Sequence, residues 1–227
     1  MSQNSLPEFI RPSNRSFRLR GTRITAAQQT ATDRFWDQYG ITPDHQIIPS
    51  QIFPESKAVI MEIGTGMGEA TAEIARTFPE IGFLAVEVHR PGIGALLARI
   101  NDFELSNIRL ISEDARVLLA ELMADESLDA IHLYFPDPWP KSKHWKRRIV
   151  QQDFIELIAK KLKPKGYIHI ATDWLGYASW VQEQFSNTDL FDGGVIPKPA
   201  FRPETRFEEK GLTKGHLVTD LKYIKRS

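Results

Sequence analysis

Apolar and polar residues follow two periodicities in turn along the middle of the chain. Short apolar runs of strand length alternate with longer segments whose apolar residues recur at helical spacing. The predicted strands are 58–63, 82–88, 108–112, 128–135 and 167–172, and the predicted helices are 26–39, 69–78, 93–103, 115–123, 153–162 and 177–185. Strands separated by helices predict right-handed βαβ units. The expected fold class is therefore α/β, with a mostly parallel sheet flanked by helices.

Both ends of the chain depart from this alternation. Residues 1–21 are polar, rich in arginine and weakly periodic, which predicts a flexible arm. We therefore expect residues 1–40 to form a flexible basic N-terminal arm with one short helix, and residues 41–227 to form a single domain. After Phe191 the chain is rich in proline and ends in a strand-like run, 217–224. We expect the sheet to close there with antiparallel strands at one edge.

Composition excludes several classes of protein. The chain contains no cysteine, which excludes disulfides, thiolate metal sites and a cysteine nucleophile. Its histidines lack metal-ligand spacing, so we expect no metal; His132 and His169 fall within predicted strands, where we expect them to be buried in the core. The Met1 end lacks a signal-peptide pattern, and no apolar run reaches the roughly 20 residues of a membrane span. We therefore expect a cytoplasmic protein that does not associate with membranes.

A net charge of zero conceals two basic clusters. The first comprises Arg11, Arg15, Arg18, Arg20 and Arg23, and the second comprises Lys141, Lys143, Lys146, Arg147 and Arg148 around His144. Without these ten residues, 19 basic residues stand against 29 acidic ones. Either cluster alone is compatible with an ordinary solvated surface. Two clusters on an acidic body favour a polyanionic partner such as a nucleic acid.

A glycine-rich loop separates the first of these strands from the helix that follows it. Gly64, Gly66 and Gly68 permit a tight turn and allow a ligand to lie against the backbone. Their G-x-G-x-G spacing differs from the G-x-G-x-x-G of dinucleotide sites, and Glu62 would repel a pyrophosphate. The carboxylate of Glu62 suits a ligand that carries an ammonium group. A dehydrogenase is accordingly the weakest interpretation.

Two further acids lie where neighbouring strands end. Glu87 ends the second strand, where acids commonly accept hydrogen bonds from ribose hydroxyls, and Asp114 follows the third, where it could accept from an adenine amino group. The alternatives are a helix cap for Asp114 and surface charge for Glu62 and Glu87. Together with the glycine loop, these acids resemble the donor site of class I S-adenosylmethionine-dependent methyltransferases over residues 57–185.

The segment after the fourth strand is Tyr134-Phe135-Pro136-Asp137-Pro138-Trp139-Pro140-Lys141. Prolines on both sides of Asp137 restrict the backbone around that carboxylate, which would lie beside the methyl donor. A surface loop rich in proline is the alternative. Trp139 and Trp145 stand among the cations of the second cluster, a pattern that suits base stacking combined with phosphate contacts.

The motif Pro136-Asp137-Pro138-Trp139 with Lys141 closely resembles the bacterial tRNA (guanine-N7)-methyltransferase family. The resemblance extends to Arg15-Ser16-Phe17-Arg18, to Thr172-Asp173-Trp174 and to Thr205-Arg206-Phe207-Glu208. It implies a Rossmann-like class I methyltransferase fold with S-adenosylmethionine as the methyl donor. It further implies methyl transfer to N7 of a variable-loop guanine, guanine-46, with tRNA as the partner and no obligate protein partner.

The same resemblance implies roles for individual residues. The donor would be bound by Glu62, Gly64, Gly66, Gly68, Glu87, Asp114 and Asp137, of which Asp137 is catalytic in the family. Substrate contacts would come from Lys141, Asp173, Thr205, Arg206, Phe207 and Glu208. RNA contacts would come from Lys143, His144, Trp145, Lys146, Arg147, Arg148, Arg15 and Arg18.

The chemistry leaves alternatives open. N7 of guanine carries a lone pair at neutral pH, so catalysis can consist mostly of alignment, with Asp137 and Asp173 stabilising the cationic base. Whether Asp137 also acts as a base stays open. One rival function is methylation of an exocyclic amine, although the order of residues 136–139 departs from the acid-Pro-Pro-aromatic motif of those enzymes. Another is an RNA-binding protein without catalysis, which would be expected to have lost the acids of the crevice.

Overall fold

The structure, a computed structural model, describes residues 16–17, 23–204, 208 and 217–227. Within these ranges one sheet contains eight strands in the order β1-β4-β3-β2-β5-β6-β8-β7. The strands are β1 Gly40–Ile41, β2 Ala58–Ile63, β3 Ile81–Val86, β4 Ile108–Ile111, β5 Leu128–Tyr134, β6 Leu162–Thr172, β7 Phe191–Ile196 and β8 Thr219–Lys225.

Helices connect most of these strands. They are α1 Ala26–Tyr39, α2 Pro49–Ile52, α3 Glu69–Thr77, α4 Arg90–Asp102, α5 Ala115–Val117, α6 Gln152–Lys161 and α7 Leu175–Ser186. A π-helical turn, Leu118–Leu122, continues α5, and a 3-10 helix spans Ser142–Arg147. None of the described helices combines the length and apolarity that a bilayer span requires.

The direction of the strands confirms the expected α/β class. Strands β1 to β6 pair in parallel, whereas β8 runs antiparallel to both β6 and β7, as predicted for the end of the chain. From β2 the sheet grows through β3 on one side and through β5 on the other. The carboxyl ends of parallel strands on either side of such a switch point open into a crevice, which is where ligands bind in this class of fold.

The two faces of the sheet carry separate apolar cores. Met61, Ile131 and Ile168 are buried on the face covered by α6 and α7. Ile60 and Phe83 are buried on the face covered by α1, α3 and α4. Fully burying a large aliphatic or aromatic side chain contributes about 1.5–3 kcal/mol, so these layers hold the strand ends in place beneath the site.

Helix α1 packs closely on α4. A capping box formed by Thr25 and Gln28 starts α1. At Gly94 of α4 a Cβ atom would lie 2.4 Å from the Gln28 carbonyl oxygen, so only glycine permits this approach. The helix that the sequence places beside the basic arm therefore shares a core with the sheet. The division of the chain at residue 40 stays a prediction.

Some predicted boundaries were wrong. Strand β6 begins at Leu162 rather than at Tyr167. Its pairing with β5 shifts register between Leu162 and Tyr167. The continuous helix predicted for 115–123 changes to π-helical hydrogen bonding at Leu118. Strand β7 was missed because its Asp-Gly-Gly sequence lacks strand propensity. Antiparallel pairing with β8 stabilises this strand, although its own sequence does not favour one.

Candidate functional site

The glycine loop turns the chain from β2 into α3. Gly64, Gly66 and Gly68 have φ values of 76°, 57° and 73°, in the left-handed region that side chains rarely adopt. A Cβ at Gly64 or Gly66 would meet no described atom within 4 Å, whereas one at Gly68 would lie 2.7 Å from Leu96. The first two glycines therefore present bare backbone to open space, and the third allows α3 and α4 to pack.

Glu87 connects this loop to the loop after β3. Its Oε2 accepts a hydrogen bond from the Gly66 N–H at 2.7 Å, and its Oε1 accepts from the N–H groups of Val88 and His89, both at 2.8 Å. A carboxylate has about four acceptor positions, so these three bonds leave about one for a ligand hydroxyl. The contact with two ribose hydroxyls expected for Glu87 would have to share oxygens with the backbone.

Glu62 is a buried acid at the end of β2. Burial raises its pKa from 4.5 to about 7, with the Thr71 side chain lowering it and the nearby Glu87 raising it further. Among the described residues, its Oε2 is buried without a hydrogen-bond partner. An unpaired buried carboxylate oxygen is costly, and a positively charged ligand group would relieve that cost.

A pocket of about 350 Å³ opens at the carboxyl ends of the central strands. This volume is in the range of small-molecule sites. The predicted donor residues that line the pocket are Gly64, Gly66, Glu87, Asp114 and Asp137, whereas Glu62 and Gly68 are not among its lining residues. The Asp114 side chain also caps α5, accepting a hydrogen bond from the Arg116 N–H at 2.9 Å. The capping alternative for Asp114 is thus present in the structure, together with a position in the pocket.

The loop that carries Asp137 has a strained backbone. Phe135 and Trp139 both precede a proline, which favours extended conformations, yet their φ values are 51° and 42°. Such conformations cost about 1–3 kcal/mol each and persist only where surrounding contacts hold them. The Phe135 N–H donates to the Ala171 carbonyl at 2.8 Å, and the Trp139 indole N–H donates to the Ser16 carbonyl at 3.0 Å.

Trp139 does not have the surface position expected for base stacking. Its side chain is 2% exposed, and the guanidinium of Arg147 lies 4.6 Å from its ring centroid. The stacking role expected for Trp139 is therefore corrected to a packing role. Its side chain connects Ser16 to the second basic cluster, Lys141 to Arg148, which we call the basic loop. Trp145, by contrast, is 41% exposed and remains accessible.

Arg148 also departs from the expected exposed cluster. It is 3% exposed, its Nε donates to the Pro138 carbonyl at 3.0 Å, and its guanidinium lies 4.7 Å and 4.9 Å from the ring centroids of Trp145 and Trp180. Burial lowers the pKa of Arg148, although the nearby Tyr177 raises it. Arg148 thus has a structural role in the described protein, and the RNA contact expected for it stays a prediction. Four of the other members of this basic loop, Lys141, Lys143, Trp145 and Lys146, are exposed, whereas His144 and Arg147 are half-buried.

The expected substrate residues are only partly described. Strands β5 and β6 are parallel neighbours, and the Phe135 N–H after β5 donates to the Ala171 carbonyl of β6. Asp137 and Asp173 follow the carboxyl ends of these two adjacent strands. Glu208 is buried, and its carboxylate is paired with Arg202 at 2.7 Å rather than being exposed. Thr205, Arg206, Phe207, Arg15 and Arg18 lie outside the described residues.

The sequence did not reveal a group of buried polar residues behind the pocket. Tyr134, which lines the pocket, bonds to His169, which in turn bonds to Asp220 of β8. His132 and His169 are buried as expected. Burial lowers the pKa of His132 to about 3, and His169 and Lys222 lower it further. Alternation within β5 and β6 was the signal that could have placed these side chains on one face.

Comparisons with known proteins agree with this geometry. Residues 56–221 match the model of a protein family described as "Putative methyltransferase". The tRNA (guanine-N(7)-)-methyltransferase of Neisseria gonorrhoeae is 48% identical over 224 residues, covering 96% of this chain and 93% of that protein. The enzyme of the same name from Nitrosomonas europaea is 45% identical over 217 residues, covering 92% and 96%.

Solved structures with little sequence identity share the fold. The crystal structure of the 16S rRNA methyltransferase KamB has a TM-score of 0.59 at 13% identity, covering 78% of this chain and 92% of its own. An rRNA methylase from Streptococcus thermophilus has a TM-score of 0.52 at 15% identity, covering 79% and 93%. At such identities the likeness supports the class I methyltransferase fold alone.

Proposed function

The chain belongs to the tRNA (guanine-N7)-methyltransferase family, and on that premise we propose that it transfers a methyl group from S-adenosylmethionine to N7 of guanine-46 in the variable loop of tRNA. The observation that carries this proposal is the pocket itself. Its wall contains Gly66, Glu87, Asp114 and Asp137, and the loop of Asp137 leads directly into an exposed basic loop. Since tRNA is a cytoplasmic substrate, we place the activity in the cytoplasm.

The residues present fit the proposed donor. The unpaired oxygen of Glu62 suits the ammonium of its amino-acid part, and the bare backbone of Gly64 and Gly66 leaves room against the loop. Glu87 would accept a hydrogen bond from the ribose, and Asp114 would accept one from the adenine amino group. When bound, S-adenosylmethionine supplies a methyl group on a positively charged sulfur.

The acceptor chemistry needs orientation more than proton removal. N7 of guanine carries a lone pair and no hydrogen, so no base is required before attack. The carboxylates of Asp137 and Asp173 can accept hydrogen bonds from the N–H groups of the guanine edge and so orient the base. Methylation at N7 makes the base cationic, and two nearby carboxylates stabilise that developing charge.

The basic loop supplies the contacts that tRNA needs. Lys141, Lys143 and Lys146 are exposed cations next to the pocket, and Trp145 offers an exposed ring on which an unstacked base can lie. Phosphate contacts of this kind position the RNA, whereas the carboxylates at the pocket select the base.

The proposal is tested by identifying the methylated atom. Unmodified tRNA is incubated with the protein and labelled donor, and is then treated with borohydride followed by aniline. N7-methylguanine has an imidazole ring open to reduction and a weakened glycosidic bond, so we expect cleavage at guanine-46. Asp137→Asn protein serves as the control for contaminating activity.

The other outcomes separate the rival functions. Label in adenosine or cytidine without a new cleavage site would favour methylation of an exocyclic amine. Binding of both donor and tRNA without any transfer would favour an RNA-binding protein. Cleavage at a different guanine would leave the reaction in place and refute only its position.

A further inference from the structure

Arg202 is a fully buried cation in the segment between β7 and β8. Its Nε and Nη2 donate to the two carboxylate oxygens of Asp220, both at 2.8 Å. Its Nη1 and Nη2 donate to the two oxygens of Glu208 at 2.7 Å and 3.2 Å. Lys198 lies 3.1 Å from Glu208 and 3.7 Å from Glu204, so a second cation joins this cluster.

The cluster is hydrogen-bonded to the wall of the pocket. Asp220 Oδ1 lies 2.8 Å from His169 Nε2, and His169 Nδ1 lies 3.1 Å from the hydroxyl of Tyr134, which lines the pocket. Because a carboxylate only accepts, a neutral His169 donates from Nε2 and accepts the Tyr134 hydroxyl proton at Nδ1. Burial alone would raise the pKa of Asp220, but hydrogen bonds from His169 and Arg202 hold it below its usual value.

Arg202 also contacts the loop of Asp137 directly. Its guanidinium lies 5.7 Å from the ring centroid of Phe135, within the range of a cation–π interaction. Phe135 has a positive φ and stands two residues before Asp137. Arg202 therefore reaches this loop by two routes, one through the Phe135 ring and one through Asp220, His169 and Tyr134.

Stability alone is a weak explanation for such a cluster. The desolvation penalty of buried charges offsets much of the favourable energy of their pairing. Proteins in which apolar residues replace a buried ion pair are often as stable as the original. The strained conformation of Phe135, in contrast, needs surrounding contacts to hold it. Arg202 of the cluster supplies one such contact, to the Phe135 ring.

We propose that Arg202 is a positioning residue for methyl transfer. Paired with Asp220, Arg202 holds the Phe135–Asp137 segment in its strained conformation. This inference rests on the proposed function for its kinetic effect. A displacement of about 1 Å at a reacting group can cost about 100-fold in rate. Loss of the cluster should therefore lower kcat, whereas the affinity for the donor and the KM for tRNA should change little.

The test uses three variants in the full chain. Arg202→Lys keeps the charge but cannot form both bidentate pairs, and Asp220→Asn keeps the shape of the side chain while weakening one pair. Arg202→Met removes the cation that both buried carboxylates share, so it is the variant most prone to misfolding. The control is Arg226→Met, which breaks the bidentate pair of Arg226 with Asp192 on exposed side chains.

Four quantities are measured for each folded variant: kcat, the KM for tRNA, the donor Kd by calorimetry, and hydrogen exchange of the peptide 134–139. We expect Arg202→Lys and Asp220→Asn to bind donor within twofold of the wild type, to lose at least tenfold in kcat, and to exchange faster at the Phe135 amide. Arg226→Met should match the wild type in all four.

Each contrary outcome has a definite meaning. Unchanged kcat and unchanged exchange would overturn the inference and leave the cluster a purely structural one. A higher KM for tRNA with unchanged kcat would also overturn it, since the cluster would then serve tRNA binding. If the wild type methylates no tRNA, the proposed function fails, and hydrogen exchange still decides whether Arg202 positions the loop.

Discussion

The backbone N–H of Gly66 donates to the carboxylate of Glu87 at 2.7 Å, so the acid that follows β3 holds the glycine loop that follows β2. The two loops are 21 residues apart in sequence and form adjacent parts of the pocket. A residue expected to contact only the ligand therefore also shapes the backbone on which the ligand lies.

Replacing Glu87 should weaken donor binding because it removes both a ligand contact and a support of the glycine loop. A hydrogen bond to a charged group contributes about 1.5–3 kcal/mol, so Glu87→Ala should weaken donor affinity by roughly 10- to 150-fold, measured by calorimetry. Binding of tRNA without donor should change little. Glu73→Gln, a partly exposed acid on α3 that is paired with Arg76, is the control. Wild-type donor affinity in Glu87→Ala would show that the acid supports neither the ligand nor the loop.

Glu62 should make donor binding depend on pH. With a pKa of about 7, the acid is mostly protonated at pH 6 and mostly ionised at pH 8. If the ionised form binds the cationic donor, apparent affinity should rise about tenfold between these pH values. Glu62→Gln should bind more weakly and lose this dependence, whereas Glu73→Gln should keep it. A pH profile shared by the wild type and Glu62→Gln would assign the titration to the donor itself.

The same pKa predicts how the stability of the ligand-free protein depends on pH. A folded-state pKa above the usual 4.5 means that the folded protein retains a proton which the unfolded chain releases. Stability from this group is therefore fully present below about pH 4.5 and is lost as pH rises to about 7, by about 3 kcal/mol in total. Denaturant titrations of the wild type and Glu62→Gln should diverge over this range, and parallel curves would contradict the prediction.

Two exposed cations of the basic loop and the half-buried Arg147 should control the salt dependence of tRNA binding. Changing Lys143, Lys146 and Arg147 together to alanine should weaken binding and flatten the slope of log K against log salt by about 2, because fewer counterions are released. Donor affinity should stay unchanged. The control changes two exposed lysines elsewhere, Lys57 directly before β2 and Lys160 in the last turn of α6. An unaltered slope in the triple variant would make the loop an ordinary solvated surface.

Asp137→Asn should separate binding from transfer. The change keeps the size of the side chain and removes its charge next to the base. We expect kcat to fall by at least 100-fold, comparable to the loss of one electrostatic stabiliser in other enzymes. Donor affinity should fall much less, and the melting temperature should stay close to that of the wild type. Single-turnover rates near those of the wild type would exclude Asp137 from the chemistry.

Local patterns were sufficient to predict most of the fold. Strand β2 and helix α1 have the predicted bounds because their periodicity and flanking glycines are properties of adjacent residues. Positions beside one pocket could be predicted for Glu87, Asp114 and Asp137 as well, since the carboxyl ends of parallel strands meet at one edge of the sheet. Strand β7 could not, because it depends on pairing with β8.

Burial set by distant contacts was beyond the reach of the sequence pattern. Trp139 and Arg148 belong to a cationic, aromatic run that is typical of exposed loops, yet contacts with Ser16 and Trp180 bury them. The pairing of His169 with Asp220 joins residues 51 positions apart. No local periodicity marks such a pair. The sequence pattern therefore did not indicate the cluster that Arg202 forms with Asp220.

The packing of Arg148 against both Trp145 and Trp180 has a kinetic consequence. A guanidinium that contacts two rings holds the basic loop on α7, so the conformation of this loop is fixed before RNA binds. A docking surface formed in advance loses less conformational entropy when a partner binds. The rate of encounter should then be set by diffusion and long-range attraction, with no slow step for folding of the loop. Stopped-flow binding should accordingly show a single phase whose rate constant rises as ionic strength falls.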